Sequence, residues 1–330
     1  MAVPRVLVIP GDGIGPEVTD AAMYVLEKTL DMYGIDLEIR YAEAGDTAAR
    51  KYGEPLPSET LRLAKNWADV VLKGPVGETA RDVVVVLRRE LGVYANIRPA
   101  RSLPGVVSVA PIDLVIVREN LEDVYAGIEF SVPGAAFAVK VVTEEGTRRV
   151  ARVAARYASS RSGRVTIVHK ANVLRVADGL FRDVARRVLE EEGVAVDEMY
   201  VDAAAMEMVR NPSRFDVVLT MNQYGDILSD LAAQVAGGLG LAPSANIGDG
   251  KALFEPVHGA AWDIAGKGVA NPTAMILSAA MMLEYLGYRE AASRMELAVE
   301  QALAAGFTTP DLGGGLSTMD YARAVAKFIQ

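Results

Sequence analysis

Short runs of β-branched and aliphatic residues alternate along the chain with longer stretches in which apolar positions recur every three to four residues. "VLVI" at 6–9 precedes "EVTDAAMYVLEKTLDMYG", "DVVLKG" at 69–74 precedes "ETARDVVVVLRREL", and "VTIVHK", "EMYVDAA" and "FDVVLTMN" follow in the second half. This alternation of periods predicts an α/β sheet with crossover helices. The C-terminal third predicts three helices, "PTAMILSAAMMLEYLG", "REAASRMELAVEQALAAG" and "MDYARAVAKFI", with Met281 and Met282 as packing residues. In the middle, "FAVKVVTEEGTRRV" alternates apolar residues around "EEG" and predicts a β-hairpin arm. No repeat or Ser/Pro-rich tether interrupts the chain, so a domain boundary falls in a compact crossing.

The stretch "IPGDGIGPEV" at 9–18 sits between the first strand and the first helix. A dinucleotide-binding fingerprint needs Gly-x-Gly-x-x-Gly, and here Pro16 occupies the third glycine's place, where it suits the first turn of a helix. The fingerprint fails, and the loop reads equally as a plain strand-to-helix turn and as a ligand contact.

Composition narrows the function classes. A chain of 330 residues with 51% hydrophobic residues buries a large core, and its length favours two domains. A net charge of −9 without a Lys/Arg block argues against nucleic acid, whose binding rests on neutralising phosphates. With no cysteine, disulfides, thiolate metal sites and cysteine nucleophiles are excluded. No apolar run is long enough for a membrane span, and a cytoplasmic location is expected. Arginine outnumbers lysine 25 to 9, which leans toward a thermophile.

Ligands of open α/β sheets bind beyond the carboxyl ends of strands, so charges that directly follow apolar runs are candidates for chemistry. Arg118 ends "DLVIVREN", Lys170 ends "VTIVHKAN", Asp202 follows "EMYV", and Asp226 and Asp230 follow "FDVVLTMNQYG". Asp226 and Asp230 stand four apart at the start of a helix, on one face; a helix cap plus a solvated residue is the equal alternative for the pair alone. With Asp202 they make an oxygen-only set suited to Mg2+ or Mn2+. Arg88, Arg98 and Arg118 taken singly read as surface charges, whereas converging guanidinium forks with a divalent metal describe a site for a di- or tricarboxylate. The two histidines, His169 and His258, make no metal set.

The blocks "GDGIGPEV", "ANIRPARSLPG", "VRENLEDVYAGIE", "HKANVL", "YVDAAAMEMVRNPSRFDVV", "NQYGDILSDLAAQVAGGLGLAPSANIG", "LFEPVHGAAWDIAGKGVANPTA" and "TPDLGG" resemble, in order and across essentially the whole chain, the β-decarboxylating dehydrogenases of isopropylmalate, isocitrate and homoisocitrate, most nearly the archaeal isopropylmalate branch. The resemblance implies a two-domain α/β fold without a standard Rossmann unit. Its first domain is discontinuous (1–98 and 239–330), its second (99–238) carries substrate, metal and dimer contacts, and a hairpin arm near 130–148 lies at the dimer interface. It implies a homodimer, or a dimer of dimers, with active sites shared between subunits. By position, Asp202, Asp226 and Asp230 match the metal carboxylates; Arg88, Arg98 and Arg118 match the arginines that hold the malate moiety; Tyr125 and Lys170 match the catalytic pair. Lys170 and Asp202 would come from the neighbouring subunit. Lys170 would take the proton of the substrate's C2 hydroxyl, and Tyr125 would return one to the enolate left by decarboxylation. The cofactor implied is NAD, bordered by Ile14 in the opening loop and contacted by Asn172, Glu255, His258, Gly259, Asp263, Ile264 and Asn271. Asp263 matches the residue that pairs with the adenosine ribose in NAD-using members, although Trp262 replaces the usual proline before it.

Substrate choice within that family follows the helix before Arg88. Isocitrate enzymes place Ser and Asn six and four residues before the arginine, where Asp82 and Val84 stand here; homoisocitrate enzymes can place an arginine at the position of Val85. Burying an isopropyl group against Val84 and Val85 would gain roughly 1 to 3 kcal/mol over presenting a carboxylate, so 3-isopropylmalate, a leucine-biosynthetic substrate, is expected. Homoisocitrate or isocitrate is the alternative, because Arg81 occupies the place of a glutamate in bacterial isopropylmalate enzymes. A non-catalytic regulatory subunit of the same fold is the remaining reading.

Overall fold

The computed structural model describes residues 3–329. One ten-stranded sheet runs through it. In spatial order its strands are Glu38–Tyr41, Arg5–Ile9, Val70–Lys73, Ala252–Pro256, Pro243–Ile247, Ala95–Arg101, Asp113–Glu119, Val217–Thr220, Arg164–His169 and Ala195–Tyr200. The first four are mutually parallel, as are the last four. Three antiparallel ladders join the halves: Ala252–Pro256 with Pro243–Ile247, the latter with Ala95–Arg101, and that strand with Asp113–Glu119. The two parallel halves therefore run in opposite directions. The parallel strands inside the sheet read as near-continuous apolar runs because both their faces are covered, whereas the edge strands Glu38–Tyr41 and Ala195–Tyr200 are mostly exposed.

Alternation along the strands divides the core. One face, with Val8, Leu72, Phe254, Ile97, Val117, Leu219 and Ile167, packs into a single cluster that spans both halves. The opposite face holds two clusters, one around Leu7, Val71 and Leu253 and the other around Ile116, Val218 and Val168. Between those two clusters the same face carries Lys73, Glu255, Asn246, Asn96, Arg98 and Arg118, brought onto it by the register pairs Asn246↔Asn96, Asn96↔Arg118 and Ser244↔Glu255. A polar band thus crosses an otherwise apolar sheet.

The opening loop is shaped by packing. Pro16 lies in the first turn of helix Gly15–Tyr33, as its fixed φ favours. Gly13 has φ 58, and a Cβ there would lie 2.0 Å from the Ala260 carbonyl oxygen. Ile14 N donates to that oxygen at 2.8 Å, tying the loop to segment 258–264. The buried Asp12 carboxylate accepts from the backbone N–H groups of Asp46, Thr47 and Gly77 at 2.7, 2.9 and 3.1 Å.

The hairpin differs from the sequence expectation. It spans Glu129–Val132 and Ala135–Ala138 and turns at Pro133–Gly134, where Gly134 takes φ 81. The arm near 130–148 is therefore too long at its C-terminal side, because "EEG" opens helix Glu144–Ser159. Thr143 caps that helix, its hydroxyl accepting from Gly146 N at 3.0 Å, and Glu144 and Glu145 favour the positive end of the helix dipole. The three C-terminal helices form at Thr273–Tyr285, Arg289–Ala304 and Thr318–Ala326, with Met282 in the core. No helix among the described residues is long and apolar enough to cross a membrane.

Gly13→Ala is expected to lower the melting temperature by several degrees, since it combines a left-handed backbone with a 2.0 Å approach to Ala260 O, costing roughly 1–3 kcal/mol. Gly34→Ala, at φ 61 with open space around it, measures the backbone cost alone in the same thermal melt and should cost less.

Candidate active site

The polar band is the floor of a cavity of about 670 Å3. One wall is the segment Arg81–Val85, a single wide turn, continued by the α-helix Val86–Glu90. Val83 and Leu87 pack into the core, which turns Val84, Val85 and Arg88 toward the cavity. The facing wall is helix Asn222–Ala236 with Tyr125. Gly225 lets that helix sit down on the Arg118 stem, because a Cβ there would fall 2.5 Å from Arg118 Cγ.

Four cations are buried here, each with specific partners. Glu255 receives Lys73 Nζ at 2.8 Å and Arg88 Nη2 at 3.0 Å, while Asn246 Nδ2 donates to the same carboxylate at 3.0 Å. Arg98 Nε donates to Asn96 Oδ1 at 2.7 Å and its Nη1 to Ser229 Oγ at 2.7 Å. Arg118 donates twice to Asn222 Oδ1, at 3.0 and 2.6 Å, and its Nη1 pairs with Asp226 Oδ1. Asn96 Nδ2 then donates to Asn246 Oδ1 at 3.1 Å, which links the arginine side of the band to Glu255. Among the described residues three carboxylates oppose these four cations: Glu255, Asp226 and, at the exposed end, Asp230, 3.3 Å from Arg98. The buried Arg88 Nε has no partner among the described residues. Such a surplus of positive charge, with a free guanidinium donor, suits an anionic ligand with two carboxylates.

The titrations follow from these contacts. Burial drives the Glu255 carboxyl upward, but the charges of Lys73 and Arg88 outweigh it and hold the group well below the ordinary glutamate range. Asp226 behaves likewise: burial opposes ionisation, and Arg118 and Arg98 more than offset it. Burial and the neighbouring Arg98 charge bring Arg118 down to about 9, so it remains charged at neutral pH. Tyr125 donates its hydroxyl to Asp226 Oδ2 at 2.5 Å, and burial together with that carboxylate pushes it up to about 12. It therefore stays protonated, as a proton donor requires.

The carboxylates do not all meet. Asp226 and Asp230 share one face of helix Asn222–Ala236, but the helix is capped at Met221, so Asp226 lies beyond the cap position. Asp202, in the first turn of helix Val201–Arg210, pairs instead with Lys170 Nζ at 2.5 Å, and neither residue lines the cavity. Among the described residues no three metal-binding side chains converge. The chain alone thus offers two adjacent oxygen donors of the kind a hard divalent cation takes, short of a full set.

The residues expected around a cofactor are partly gathered. Ile14 is buried against segment 258–264, and Glu255, His258 and Gly259 line the cavity. His258 Nε2 is shielded from solvent and unpartnered, so it is available to a ligand. Asp263 is exposed, Ile264 half-buried, and Asn172 exposed on the loop after Lys170. Asn271 has both ends of its amide engaged, with Asp311 at 3.1 Å and Thr273 N at 3.0 Å, so it shapes the helix start. Sequence reasoning missed Lys73, Asn96, Asn222 and Asn246. Lys73 carried the same signal as Arg118, a charge ending an apolar strand, whereas the asparagines carried none.

Glu255→Gln is expected to destabilise the fold by about 3–5 kcal/mol by leaving Lys73 and Arg88 buried against a neutral amide. Because the folded-state value of Glu255 is depressed, its stabilisation is in place above the ordinary glutamate value of roughly 4 and fades as pH falls toward the folded value. Chemical denaturation between neutral and acid pH should show the wild type losing stability over that window and the variant losing less.

The isocitrate/isopropylmalate dehydrogenase family model matches residues 5–325. The 3-isopropylmalate dehydrogenase of Archaeoglobus fulgidus is 53% identical over 329 residues, covering 98% of this chain and 99% of that one. The isocitrate/homoisocitrate dehydrogenase of Thermus thermophilus is 47% identical, covering 99% and 98%. The crystal structure of isocitrate dehydrogenase from Methylococcus capsulatus superposes with a TM-score of 0.94 at 44% identity, covering 99% of both chains. With the buried arginine set, the paired helix carboxylates and this match over nearly its full length, the chain belongs to the isocitrate/isopropylmalate dehydrogenase family.

Proposed function

We propose that the protein oxidatively decarboxylates 3-isopropylmalate, a step of leucine biosynthesis, with NAD and a divalent cation. The observation that carries this reading is the cavity wall: Val84 and Val85 stand beside Arg88, where a C3 isopropyl group would be buried and a third carboxylate would go unpaired. Arg81, the cation whose inward swing would reverse the preference, is paired at the rim, its Nη1 2.8 Å from Glu129 Oε1. Arg88, Arg98 and Arg118 would bind the two carboxylates of the malate moiety.

Bound NAD+ would supply the hydride acceptor, and a cation held by Asp226 and Asp230 would polarise the C2 hydroxyl and the keto group. The proton chemistry then belongs to the chain. Lys170 takes the hydroxyl proton, and Tyr125, protonated at neutral pH, donates to the enolate left when CO2 departs. Asp263 would accept from the adenosine ribose and repel a 2′-phosphate, favouring NAD+ over NADP+.

Lys170 and Asp202 lie outside the cavity, and we assign them to the cavity of a second copy in a homodimer. The apolar surface supports this. Phe130, Val132 and Phe137 point outward from the hairpin, with Phe130 and Phe137 stacked at 4.9 Å, and Val173 and Val176 are exposed beside Lys170, Val176 at 87%. Exposed apolar groups of this extent mark an interface. The two clusters on the cavity face also suit a division into 1–98 with 239–330 and 99–238.

A panel of 3-isopropylmalate, homoisocitrate and isocitrate, each with NAD+ or NADP+ and Mg2+ or Mn2+, should give the highest kcat/KM for 3-isopropylmalate with NAD+. A higher value for either tricarboxylate, abolished by Arg81→Ala, would transfer the assignment to that substrate. Phe130→Asp with Val132→Asp should convert the dimer to monomer in sedimentation velocity and reduce turnover at least tenfold; a fully active monomer would remove Lys170 from the mechanism.

A further inference from the structure

Lys140 follows the hairpin and points inward, with a side chain only 15% exposed. Its Nζ lies 3.0 Å from Asp178 Oδ1 and 3.6 Å from Asp123 Oδ1, both carboxylates fully buried, and 4.2 Å from the centre of the Tyr224 ring. One ammonium faces two buried negative charges. Two further bonds of those carboxylates go to backbone at or beside the proposed proton-transfer pair. Asp178 Oδ2 accepts from Lys170 N at 2.7 Å and from Tyr224 OH at 3.1 Å. Asp123 Oδ1 accepts from Val124 N at 2.8 Å and Oδ2 from Gln223 N at 3.0 Å, one residue before Tyr125 and three before Asp226. Asp123 itself holds φ 66, a left-handed conformation that a non-glycine residue keeps only where its surroundings impose it, and its N–H donates to Val141 O at 2.8 Å, next to Lys140.

We propose that Lys140 is a positioning residue for the proton-transfer steps: a clasp that fixes the Tyr125 loop through Asp123 and the start of the Lys170 segment through Asp178. The inference rests on the assignment of Tyr125 and Lys170 above. In that assignment Tyr125 serves its own chain's cavity and Lys170 the second copy's, so one ammonium sets the geometry of groups in two sites. The substrate-binding arginines have their own direct supports. Among the described residues Arg88, Arg98 and Arg118 are held by Glu255, Asn96, Ser229, Asn222 and Asp226, none of them ion-paired with Lys140; Asn222 and Asp226 share a helix with Gln223, but Arg118 bonds to both directly. Without the ammonium, two buried carboxylates lack a counter-charge and the segments they hold shift. A displacement near 1 Å is enough to slow proton transfer severalfold or more while binding persists.

The test measures steady-state turnover of 3-isopropylmalate with NAD+ and Mg2+ in Lys140→Met and Lys140→Arg, together with substrate-induced thermal stabilisation. Lys140→Met should lose about 30-fold in kcat with KM within about threefold of wild type, and Lys140→Arg should recover most of the loss. Unchanged kcat, or a fall in kcat and rise in KM that simply track a lowered melting temperature, would overturn the role. If Lys140→Met does not fold, Lys140→Gln with Asp178→Asn removes one buried charge of each sign; wild-type kcat in that protein overturns the proposal and a selective loss of kcat supports it. Lys170→Met and Tyr125→Phe, assayed in parallel, separate the two levels. Full activity there sinks the proton-transfer pair and Lys140's role with it, whereas inactive pair variants beside a fully active Lys140→Met sink the clasp alone.

Discussion

Burying four cations against one face of a sheet, three on its strands and Arg88 on the helix above, is the constraint on which the rest of this structure depends. A guanidinium or ammonium removed from water is tolerated only with compensating charge and hydrogen bonds, and here Glu255, Asp226 and Asp230 supply the charge while Asn96, Asn222, Asn246 and Ser229 supply the bonds. The compensation is incomplete: four cations meet three carboxylates, one of them at the exposed end, and Arg88 Nε has no partner among the described residues. A site of this kind is stable enough to fold and still electrostatically unsatisfied, which is the condition for capturing a small dianion. The low carboxyl values of Glu255 and Asp226 express the same balance from the acidic side.

The sheet topology decides where such a band can exist. Because the two parallel halves run in opposite directions, their junction is made of antiparallel ladders, and helix Asn222–Ala236 covers its inner face from one side only, over Ala95–Arg101 and Asp113–Glu119. The continuous cluster on the other face holds the halves together, while the two clusters on the inner face leave a gap between them. That gap is lined by strand residues whose positions are fixed by ladder hydrogen bonds. Its walls come from the wide turn Arg81–Val85, helix Asn222–Ala236 and the loop bearing Tyr125, and Arg89 Nη2 joins the first to the last by donating to Tyr125 O at 2.6 Å.

Much of this was legible in the sequence, and the limits are physical. Element type was readable because period and length differ between strands and helices, so the alternating strands and the three C-terminal helices appear where the apolar pattern put them. Arg118, Arg98, Arg88 and Asp226 were legible as charged residues beside apolar runs, and Tyr125 through the family resemblance alone; all five line one cavity. The hairpin was displaced because alternation continues through Val139, Val141 and Val142 after the second strand has ended, while the capping signal of Thr143 and two glutamates marks a helix start. Asn96 and Asn246 gave no warning, since a single amide in an apolar strand looks the same whether or not another amide lies across the ladder.

The sequence by itself determined the α/β class, the positions of the main elements, and a set of residue types able to bind a carboxylate ligand, because each rests on local periodicity or on side-chain chemistry. Only the tertiary structure decided which of those residues meet. It placed Glu255 against Lys73 and Arg88, tied Arg81 to Glu129, and separated Asp202 and Lys170 from Asp226 and Asp230. Those pairings join residues from 32 positions apart, Lys170 with Asp202, to 167, Arg88 with Glu255, and farther still for Lys73 with Glu255. Their geometry depends on strand order and register, quantities set by the packing of the whole sheet and carried by no local stretch of chain.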